Sequence, residues 1–301
     1  MKVLIIGASS FIGKNLLEEL TEGSYRVSAV TATYLNDLTF PAFAQKLGVH
    51  ALQHDLLNSE PIHNEYDVCL YLAGNSNHGA AIKEPLTDLA LNTQSCLRFL
   101  QHARCKRVIY LSSGAVYYGL KGFVDPQTAV NPVFTYGISK LASEHYTRAY
   151  HYMQQLSSYA IFRLFYAYGK YDKPRRLIPQ VTRALLAEGR NHFTINGTGQ
   201  SLMNPLDARY VAHALAQAAL SNTVSGTFDL CGEVIDRTVP NIVEEIGQAL
   251  GKEITVSCDQ VPEAFPVEFF GSLASAKAAF SLPSPGSFTD GIRRYAQWMT
   301  Q

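Results

Sequence analysis

The chain has 301 residues, of which 47% are hydrophobic and 17% are charged, enough for one large domain with a smaller lobe. Lys+Arg and Asp+Glu both number 25, so the formal net charge is zero. This balance argues against nucleic acid and acidic membrane surfaces as partners.

The cysteines are odd in number, scattered, and without a Cys-x-x-Cys pair. This pattern favours free thiols in a reducing cytosol over a disulfide framework. The histidines also lack the spacing of a metal site. The N-terminal apolar run, residues 3–6, is too short for a signal peptide, and no run approaches membrane-spanning length. We therefore expect a cytoplasmic protein with no metal and no membrane anchor.

Apolar runs alternate with longer helical patterns through the first half of the chain, which predicts a parallel sheet with crossover helices. The expected strands cover residues 2–6, 26–31, 49–52, 67–72, 107–112 and 159–164. Further along, the pattern predicts a strand at 226–230 and an amphipathic helix at 239–251, closed by glycine.

Residues 1–13 read as a buried strand, a tight turn of small residues and the start of a helix. Gly7 lets the chain turn sharply, and Gly13 lets the helix lie close to the strands. Backbone N–H groups at the helix N-terminus would then face a pyrophosphate. Taken alone, the stretch also fits a plain strand–turn–helix.

Two further stretches carry proton chemistry. The strand at 107–112 delivers hydroxyl groups at its C-terminal end, Ser112 and Ser113. Tyr136 and Lys140 are four residues apart and share one face if the segment is helical. A nearby ammonium lowers the pKa of a phenol, which can then exchange a proton with a substrate oxygen. Tyr and Lys at this spacing are also common on solvated helix faces.

Together these stretches resemble the extended short-chain dehydrogenase/reductases, the family of nucleotide-sugar epimerases and dehydratases, over nearly the whole chain. The resemblance implies an α/β fold with a Rossmann-type doubly wound parallel sheet and a smaller C-terminal substrate lobe. The dinucleotide-binding domain would comprise residues 1–165 and a return segment at about 204–230. The lobe would comprise 166–203 and 231–301, and residues 274–280 and 288–298 resemble the closing helices of the family.

The resemblance implies NAD(P) as the cofactor. It places the following residues against the cofactor: Gly7, Ser9, Ser10, Phe11, Ile12, Gly13, Thr31, Asp55, Leu56, Leu72, Ala73, Gly74, Asn92, Tyr136 and Lys140. Ser10 stands where the family has its middle glycine, and Asn92 also fits a helix-surface amide. Thr31 stands where NAD-binding members carry an acid. Its neutral side chain removes repulsion against a 2′-phosphate, so we expect a preference for NADP.

The resemblance also assigns the catalytic groups. Tyr136 would be the acid/base, and Lys140 would lower its pKa and hold the nicotinamide ribose. Ser113 would hydrogen-bond the reacting oxygen. Alignment backwards from Gly119 would instead put Gly114 at the serine position, whereas the Val-Tyr pair at 116–117 favours Ser113.

The expected substrate contacts are Ser113, Tyr166, Arg175 and Arg176. Tyr166 replaces an asparagine that helps many members bind the nucleotide-sugar diphosphate. Leu202 or Met203 replaces an arginine that grips phosphate, so the cations would come from the loop at 173–176. A solvated charged loop explains that loop equally well.

We therefore expect an NAD(P)-dependent epimerase or oxidoreductase acting on a hydroxyl of a sugar or nucleotide-sugar. Gly114 and Ala115 stand where the 4,6-dehydratases of the family have an Asp-Glu pair, so dehydration is not expected. The alternatives are an NADPH-dependent keto-sugar reductase and a non-catalytic NAD(P)-binding redox sensor.

A homodimer is also expected, because the family pairs the helix near 135–155 with the helix near 86–104 in a four-helix bundle. Apolar residues that would line it are Leu91, Leu97, Phe99, Leu100, Leu141, Tyr146 and Tyr150. Ordinary packing on the sheet would use the same pattern.

Overall fold

A computed structural model describes residues 1–23, 25–221, 223–234 and 237–301. These residues form a central seven-stranded parallel sheet in the order β7-β6-β5-β4-β1-β2-β3. Its strands are β1 (Lys2–Ile6), β2 (Ala29–Tyr34), β3 (His50–Gln53), β4 (Tyr66–Tyr71), β5 (Cys105–Ser113), β6 (Ser158–Leu164) and β7 (Gly226–Leu230). The order reverses between β1 and β4, which confirms the predicted doubly wound architecture.

The helices cover both faces of this sheet and continue beyond it. They are α1 (Phe11–Glu22), α2 (Phe40–Lys46), α3 (His78–Lys83), α4 (Pro85–Leu89), α5 (Ser95–His102), α6 (Thr135–Tyr152), α7 (Leu177–Arg183), α8 (Ala208–Leu220), α9 (Val239–Ala249), α10 (Ala274–Phe280) and α11 (Phe288–Met299). A π-helical stretch, Ala90–Gln94, joins α4 to α5, and a 3₁₀ turn, Gly114–Tyr117, follows β5. Within the described ranges, no helix is both long and apolar enough to cross a membrane.

Short parallel strand pairs connect distant parts of the chain. They are Lys121–Phe123 with Glu268–Phe270, Tyr166–Tyr168 with Pro205–Asp207, and His192–Ile195 with Thr255–Cys258. The last pair belongs to the C-terminal part, whose own apolar cluster contains residues of α7, α9 and α11. The division into two domains stays a prediction. Helix α10 belongs to the expected lobe, yet it packs on the large apolar cluster that covers the main sheet.

The second strand lies three residues further along the chain than the sequence pattern predicts. Ser28 donates its backbone N–H to the Met1 carbonyl at 2.9 Å, and the ladder begins only where Lys2 pairs with Ala29. The start of β1 therefore sets the start of β2. Residues 32–34 complete the strand, and the expected strand end at Thr31 is wrong.

The helix faces expected to form a dimer are mostly turned inward. Leu100 and Tyr150 belong to the apolar cluster on one face of the sheet, with Leu97 and Phe99 packed against it, and Leu141 packs in a separate small cluster. Leu91 and Tyr146 remain exposed. The other exposed apolar side chains on α4 and α6 are Leu86, Leu89, Ile138 and Tyr152.

A buried polar network lies beneath the C-terminal ends of β5, β6 and β7. Arg163 on β6 bonds both carboxylate oxygens of Glu144 on α6, at 3.0 and 2.8 Å. Its Nη1 also donates to the Tyr117 hydroxyl at 2.8 Å, and that hydroxyl lies 3.0 Å from Asp229 Oδ1 on β7. Burial raises the pKa of Asp229 to about 7, even though Tyr117 and Arg163 act in the opposite direction.

We predict that Asp229→Asn changes how stability depends on pH. A carboxyl whose folded pKa is about 7 takes up a proton on folding, so its contribution to stability is lost as pH rises from ~4 to ~7. The free energy of unfolding of the variant should therefore rise relative to wild type by up to about 4 kcal/mol between these pH values. Urea denaturation followed by circular dichroism at several pH values measures the difference.

The control is Asp259→Asn, because backbone N–H groups of Gly197 and Val261 lower the pKa of this exposed carboxyl. Its difference from wild type should have the opposite sign. A difference for Asp229→Asn that is flat with pH contradicts the assignment.

Candidate active site

The turn after β1 brings α1 very close to the sheet. A Cβ at Gly13 would lie 2.4 Å from the Ala8 carbonyl oxygen, and a Cβ at Gly7, where φ is +80°, would lie 2.8 Å from the backbone of Ala73. Ser10 begins the helix by accepting a hydrogen bond from the Gly13 N–H at 3.2 Å. The departure from glycine at this position therefore serves as a helix cap.

The exit of β2 differs from the expectation. Thr31 lies inside the strand, paired in register with Leu4. Thr33 occupies the position beside the glycine turn, because its Oγ1 accepts the Gly7 N–H at 2.9 Å. Beyond the strand, Asp37 forms a salt bridge of 2.8 Å with Lys14 of α1. Thr31 is therefore not the residue at the end of β2, and the absence of an acid there does not bear on the choice of cofactor.

The exit of β4 passes beside the same turn. Leu72 and Ala73 are half-buried, and Gly74 has φ +147°. A Cβ at Gly74 would lie 2.4 Å from Oδ1 of Asn92. This buried oxygen has no hydrogen-bond partner within the described part of the chain. The Asn92 side chain is therefore buried, and its Oδ1 faces the backbone at Gly74, just after β4. The alternative of an amide on the helix surface is wrong.

Asp55 and Leu56, two of the expected cofactor contacts, lie after β3. Asp55 accepts the backbone N–H of Leu57 at 2.8 Å and the side-chain amide of Asn58 at 2.9 Å, and these bonds, that of Asn58 first, lower the pKa of its carboxyl. Leu56 packs against the apolar cluster that contains β4 and β5. The Asp55 carboxylate therefore stabilises the turn formed by residues 55–58.

Ser113, Tyr136 and Lys140 come together where β5 ends and α6 begins. Ser113 precedes the 3₁₀ turn, and its Oγ accepts the Ala115 N–H at 3.1 Å. A Cβ at Gly137 would lie 2.5 Å from the Ala115 carbonyl oxygen, so the glycine after Tyr136 allows α6 to approach this turn. Gly114 is buried against Phe165, and the Ser112 hydroxyl donates to Glu144, so Ser113 is the serine of this strand end that lies beside Tyr136.

Burial favours the neutral form of Tyr136. Burial raises the pKa of Tyr136 to about 12, and the carboxylate of Asp88 acts in the same direction. A hydrogen bond with Ser113 and the charge of Arg176 act the other way. Without a further positive charge, Tyr136 is therefore suited to donate a proton.

Lys140 does not have the contacts that the sequence suggests. Its ammonium donates to the Leu111 carbonyl at 2.7 Å and lies 4.4 Å from the centroid of the Tyr110 ring. Burial lowers the pKa of Lys140 to about 8. In this structure the charge of Arg176 lowers the pKa of Tyr136, and the role expected of Lys140 stays a prediction.

Aromatic rings form the wall of the site in front of Tyr136. The His78 ring lies 4.8 Å from the Tyr136 ring and packs edge-on against Tyr118 and Phe134. Desolvation by this cluster, followed by the charge of Arg176, lowers the pKa of His78, so the imidazole is neutral near pH 7. Sequence reasoning missed His78, because only the fold brings residue 78 to residue 136.

The loop before α7 places one of its two predicted arginines in the site. The Arg176 guanidinium lies 4.2 Å from the Tyr166 ring and 5.9 Å from the Phe11 ring, and it pairs with Asp172 at 2.9 Å. Arg175 is exposed. Arg176 and Tyr166 thus lie together beside the first turn of α1.

Comparison with known proteins gives a family and a fold. The sequence model of the NAD dependent epimerase/dehydratase family matches residues 3–230. A candidate UDP-glucose 4-epimerase of Methanocaldococcus jannaschii is 26% identical, over 58% of this chain and 58% of its own length. The uncharacterized UDP-glucose epimerase YtcB of Bacillus subtilis is 23% identical over 97% of this chain and 96% of its own.

Among solved structures, UDP-glucuronic acid 4-epimerase from Bacillus cereus, in complex with UDP-glucuronic acid and NAD, superposes with a TM-score of 0.87 at 20% identity. The superposition covers 100% of this chain and 99% of that one. A dTDP-glucose 4,6-dehydratase of Xanthomonas campestris is 25% identical over 76% of this chain and 70% of its own. The fold is therefore shared with the epimerase, and the curated relatives include both reaction types.

We predict that Gly13→Ala weakens NAD binding by about tenfold, since overpacking of this kind costs roughly 1–3 kcal/mol and α1 must move away from Ala8. The matched control is Gly286→Ala, where the nearest atom to an added Cβ lies 3.9 Å away. Isothermal titration calorimetry with NAD measures both affinities. Equal affinities for the two variants would show that the close approach of α1 is not needed for the cofactor.

Proposed function

The chain belongs to the NAD dependent epimerase/dehydratase family, and from that premise we propose that it is a 4-epimerase of UDP-linked sugars with NAD as its cofactor. The observation that carries the proposal is the meeting of Ser113, Tyr136 and Lys140 at the end of β5. This site lies at the carboxyl edge of the sheet, near the point where the strand order reverses.

The residues around the first turn fit a dinucleotide. Gly7 and Gly13 leave no room for a Cβ, and the N-terminus of α1 offers backbone N–H groups to a pyrophosphate. Gly74 and the vacant Oδ1 of Asn92 would face the cofactor further along. The two solved structures of the Bacillus cereus UDP-glucuronic acid 4-epimerase contain NAD, so they favour NAD over the expected NADP.

A bound NAD would supply the hydride chemistry, the reversible oxidation and reduction of the sugar carbon. The residues of this chain supply the proton transfer. Tyr136 would take the proton of the sugar hydroxyl and later give it back, while Ser113 holds the oxygen. The charge of a bound oxidised nicotinamide would oppose the effects of burial and Asp88 on the pKa of Tyr136. Lys140 would hold the ribose, since its ammonium lies one helical turn from Tyr136.

Arg176 and Tyr166 support a substrate with a diphosphate. The guanidinium is half-buried beside the aromatic wall, and its charge acts on both Tyr136 and His78. A cation at this place suits the phosphates of a nucleotide-sugar. Arg176 would therefore replace the arginine that is missing at residues 202–203.

The packing after Ser113 argues against dehydration. An added Cβ at Gly114 would lie 3.0 Å from the Phe165 ring, and Ala115 is buried. Acidic side chains at these two positions would have no space, and elimination of water needs such acids. This supports epimerisation even though a dehydratase is among the relatives.

We also propose a cytoplasmic homodimer that buries the exposed apolar face of α4 and α6. Leu86 and Leu89 on α4 and Ile138 on α6 are all largely exposed, and these two helices pack side by side. Burial of such a patch against a second copy would stabilise the assembly. The free cysteines fit a reducing compartment.

The purified protein should interconvert the 4-epimers of at least one UDP-linked hexose or uronic acid in the presence of NAD. Tyr136→Phe should slow this reaction by about a hundredfold or more because the proton donor is lost, with NAD affinity kept within a few-fold. Chromatography of the sugar products and NAD titration measure the two quantities. A 4-keto-6-deoxy product would overturn the exclusion of dehydration, and full activity of Tyr136→Phe would overturn the site.

Leu89→Glu combined with Ile138→Glu should convert the dimer to a monomer, because two charges would be buried at the interface. Light scattering coupled to gel filtration at micromolar concentration gives the mass. Leu38→Glu is the control, since Leu38 is more exposed than either residue and lies outside this face. A wild-type protein that is monomeric under these conditions would exclude the dimer.

A further inference from the structure

Asp88 is a buried acid whose contacts surround the proposed site. It lies on α4, is 1% exposed, and accepts hydrogen bonds from three separate elements. Oδ1 accepts from the side-chain amides of Asn75 at 3.0 Å and Asn92 at 2.8 Å, and Oδ2 accepts from the Ser139 hydroxyl at 2.6 Å. We propose that Asp88 is a positioning residue that ties these elements around Tyr136 and supplies the negative charge against which Tyr136 must ionise. The proposal rests on the function proposed above for Tyr136.

All three partners of Asp88 are placed to donate a hydrogen bond to it, an arrangement that suits a carboxylate. The partners are two amides and a hydroxyl, so each is neutral and none cancels the charge. A buried carboxylate with neutral partners exerts its field on nearby groups with little screening. The charge of Asp88 is therefore available to act on the site.

Ser139 links Asp88 to the helix that carries Tyr136. It lies on α6 between Tyr136 and Lys140, and its hydroxyl is 2.6 Å from Asp88 Oδ2 and 3.1 Å from the Tyr136 carbonyl oxygen. The field of Asp88 raises the pKa of Tyr136, whereas that of Arg176 lowers it. The titratable and charged groups that face Tyr136 from its neighbouring elements are His78, Asp88, Tyr110, Tyr118, Lys140 and Arg176.

Asp88 also fixes the orientation of Asn92. Because the carboxylate only accepts, Asn92 must direct its amide nitrogen to Asp88, and its oxygen then points to Gly74. That oxygen is the vacant acceptor beside the passage proposed for the cofactor. An asparagine at position 88 could also donate, so the Asn92 amide would no longer be held in one orientation. Because Asn92 Oδ1 is proposed to face the cofactor, the affinity for NAD should depend on Asp88 as well.

The test is the ionisation of Tyr136 itself. Tyrosinate absorbance is recorded immediately after a pH jump, before the protein unfolds, and the trace of the matching Tyr136→Phe protein is subtracted. The midpoint is expected at about 12 in wild type. It should fall by about one pH unit in Asp88→Asn, since one nearby negative charge is removed. Asp88→Ser, which leaves room for a water among the same donors, should give the same shift if Asp88→Asn does not fold.

Asp229→Asn is the control, because it removes a buried acid that lies in the separate network of Tyr117 and Arg163. Its midpoint should equal that of wild type. An unchanged or higher midpoint in both Asp88 variants overturns the proposal. The titration needs no turnover, so it can be measured even in a protein that converts no UDP-sugar. A lack of conversion would refute the proposed function and leave the proposal about Asp88 to be decided by the titration. With an active protein, the alkaline limb of the pH profile of kcat/KM should shift in the same direction as the titration.

Discussion

The buried ion pair between Glu144 and Arg163 is the contact on which the geometry of the site depends. Both side chains are almost fully buried, and two parallel hydrogen bonds join them. Burial alone would raise the pKa of Glu144, yet the bonds from Arg163 and Ser112 hold it below its usual range. Removal of one partner of such a pair leaves an uncompensated charge and costs about 3–5 kcal/mol. The pair therefore locks α6 onto β6.

The same carboxylate connects this lock to the reacting groups. Glu144 Oε1 accepts the Ser112 hydroxyl at 2.6 Å, and Ser112 is the neighbour of Ser113 in β5. On α6, the residues 136, 140 and 144 lie on one face at helical spacing. One ionic contact thus fixes both the strand that presents Ser113 and the helix that presents Tyr136, which explains how a buried phenol is held in place.

Much of the sheet is predictable from the sequence, because buried parallel strands are continuous apolar runs. The limits of β1 were predicted exactly as found, and those of β3 to β6 to within two residues. β2 was misplaced because hydrogen bonds to Met1 determine where it starts, and a run of apolar letters carries no such information. Ser113, Tyr136 and Lys140 were named from the family resemblance. The structure places Ser113 beside Tyr136 and Lys140 one helical turn further along α6, and their catalytic roles stay predictions.

The rest of the site depends on contacts between distant residues. Asp88 lies four residues before Asn92 on a helical face, and Glu144 lies four after Lys140, so both spacings were visible in the sequence. The structural importance of these two acids was not visible, since an acid on a helix is far more often solvated than buried. The sequence also could not tell which of Arg175 and Arg176 enters the site. The two arginines are adjacent in one loop, and only the fold shows that Arg176 packs on the Tyr166 ring.

The position of Arg176 has a consequence for how this protein can change over evolution. Its guanidinium lies over the ring of Phe11, in the first turn of α1, and over that of Tyr166, at the entrance to the C-terminal part. Under the proposed function, a substitution of Tyr166 that suits another sugar would also move the Arg176 guanidinium, which lies beside the turn after β1. Selectivity for the sugar and affinity for the dinucleotide would therefore change together. Compensating changes at Phe11 or Asp172, which also contact Arg176, would be needed to change one without the other.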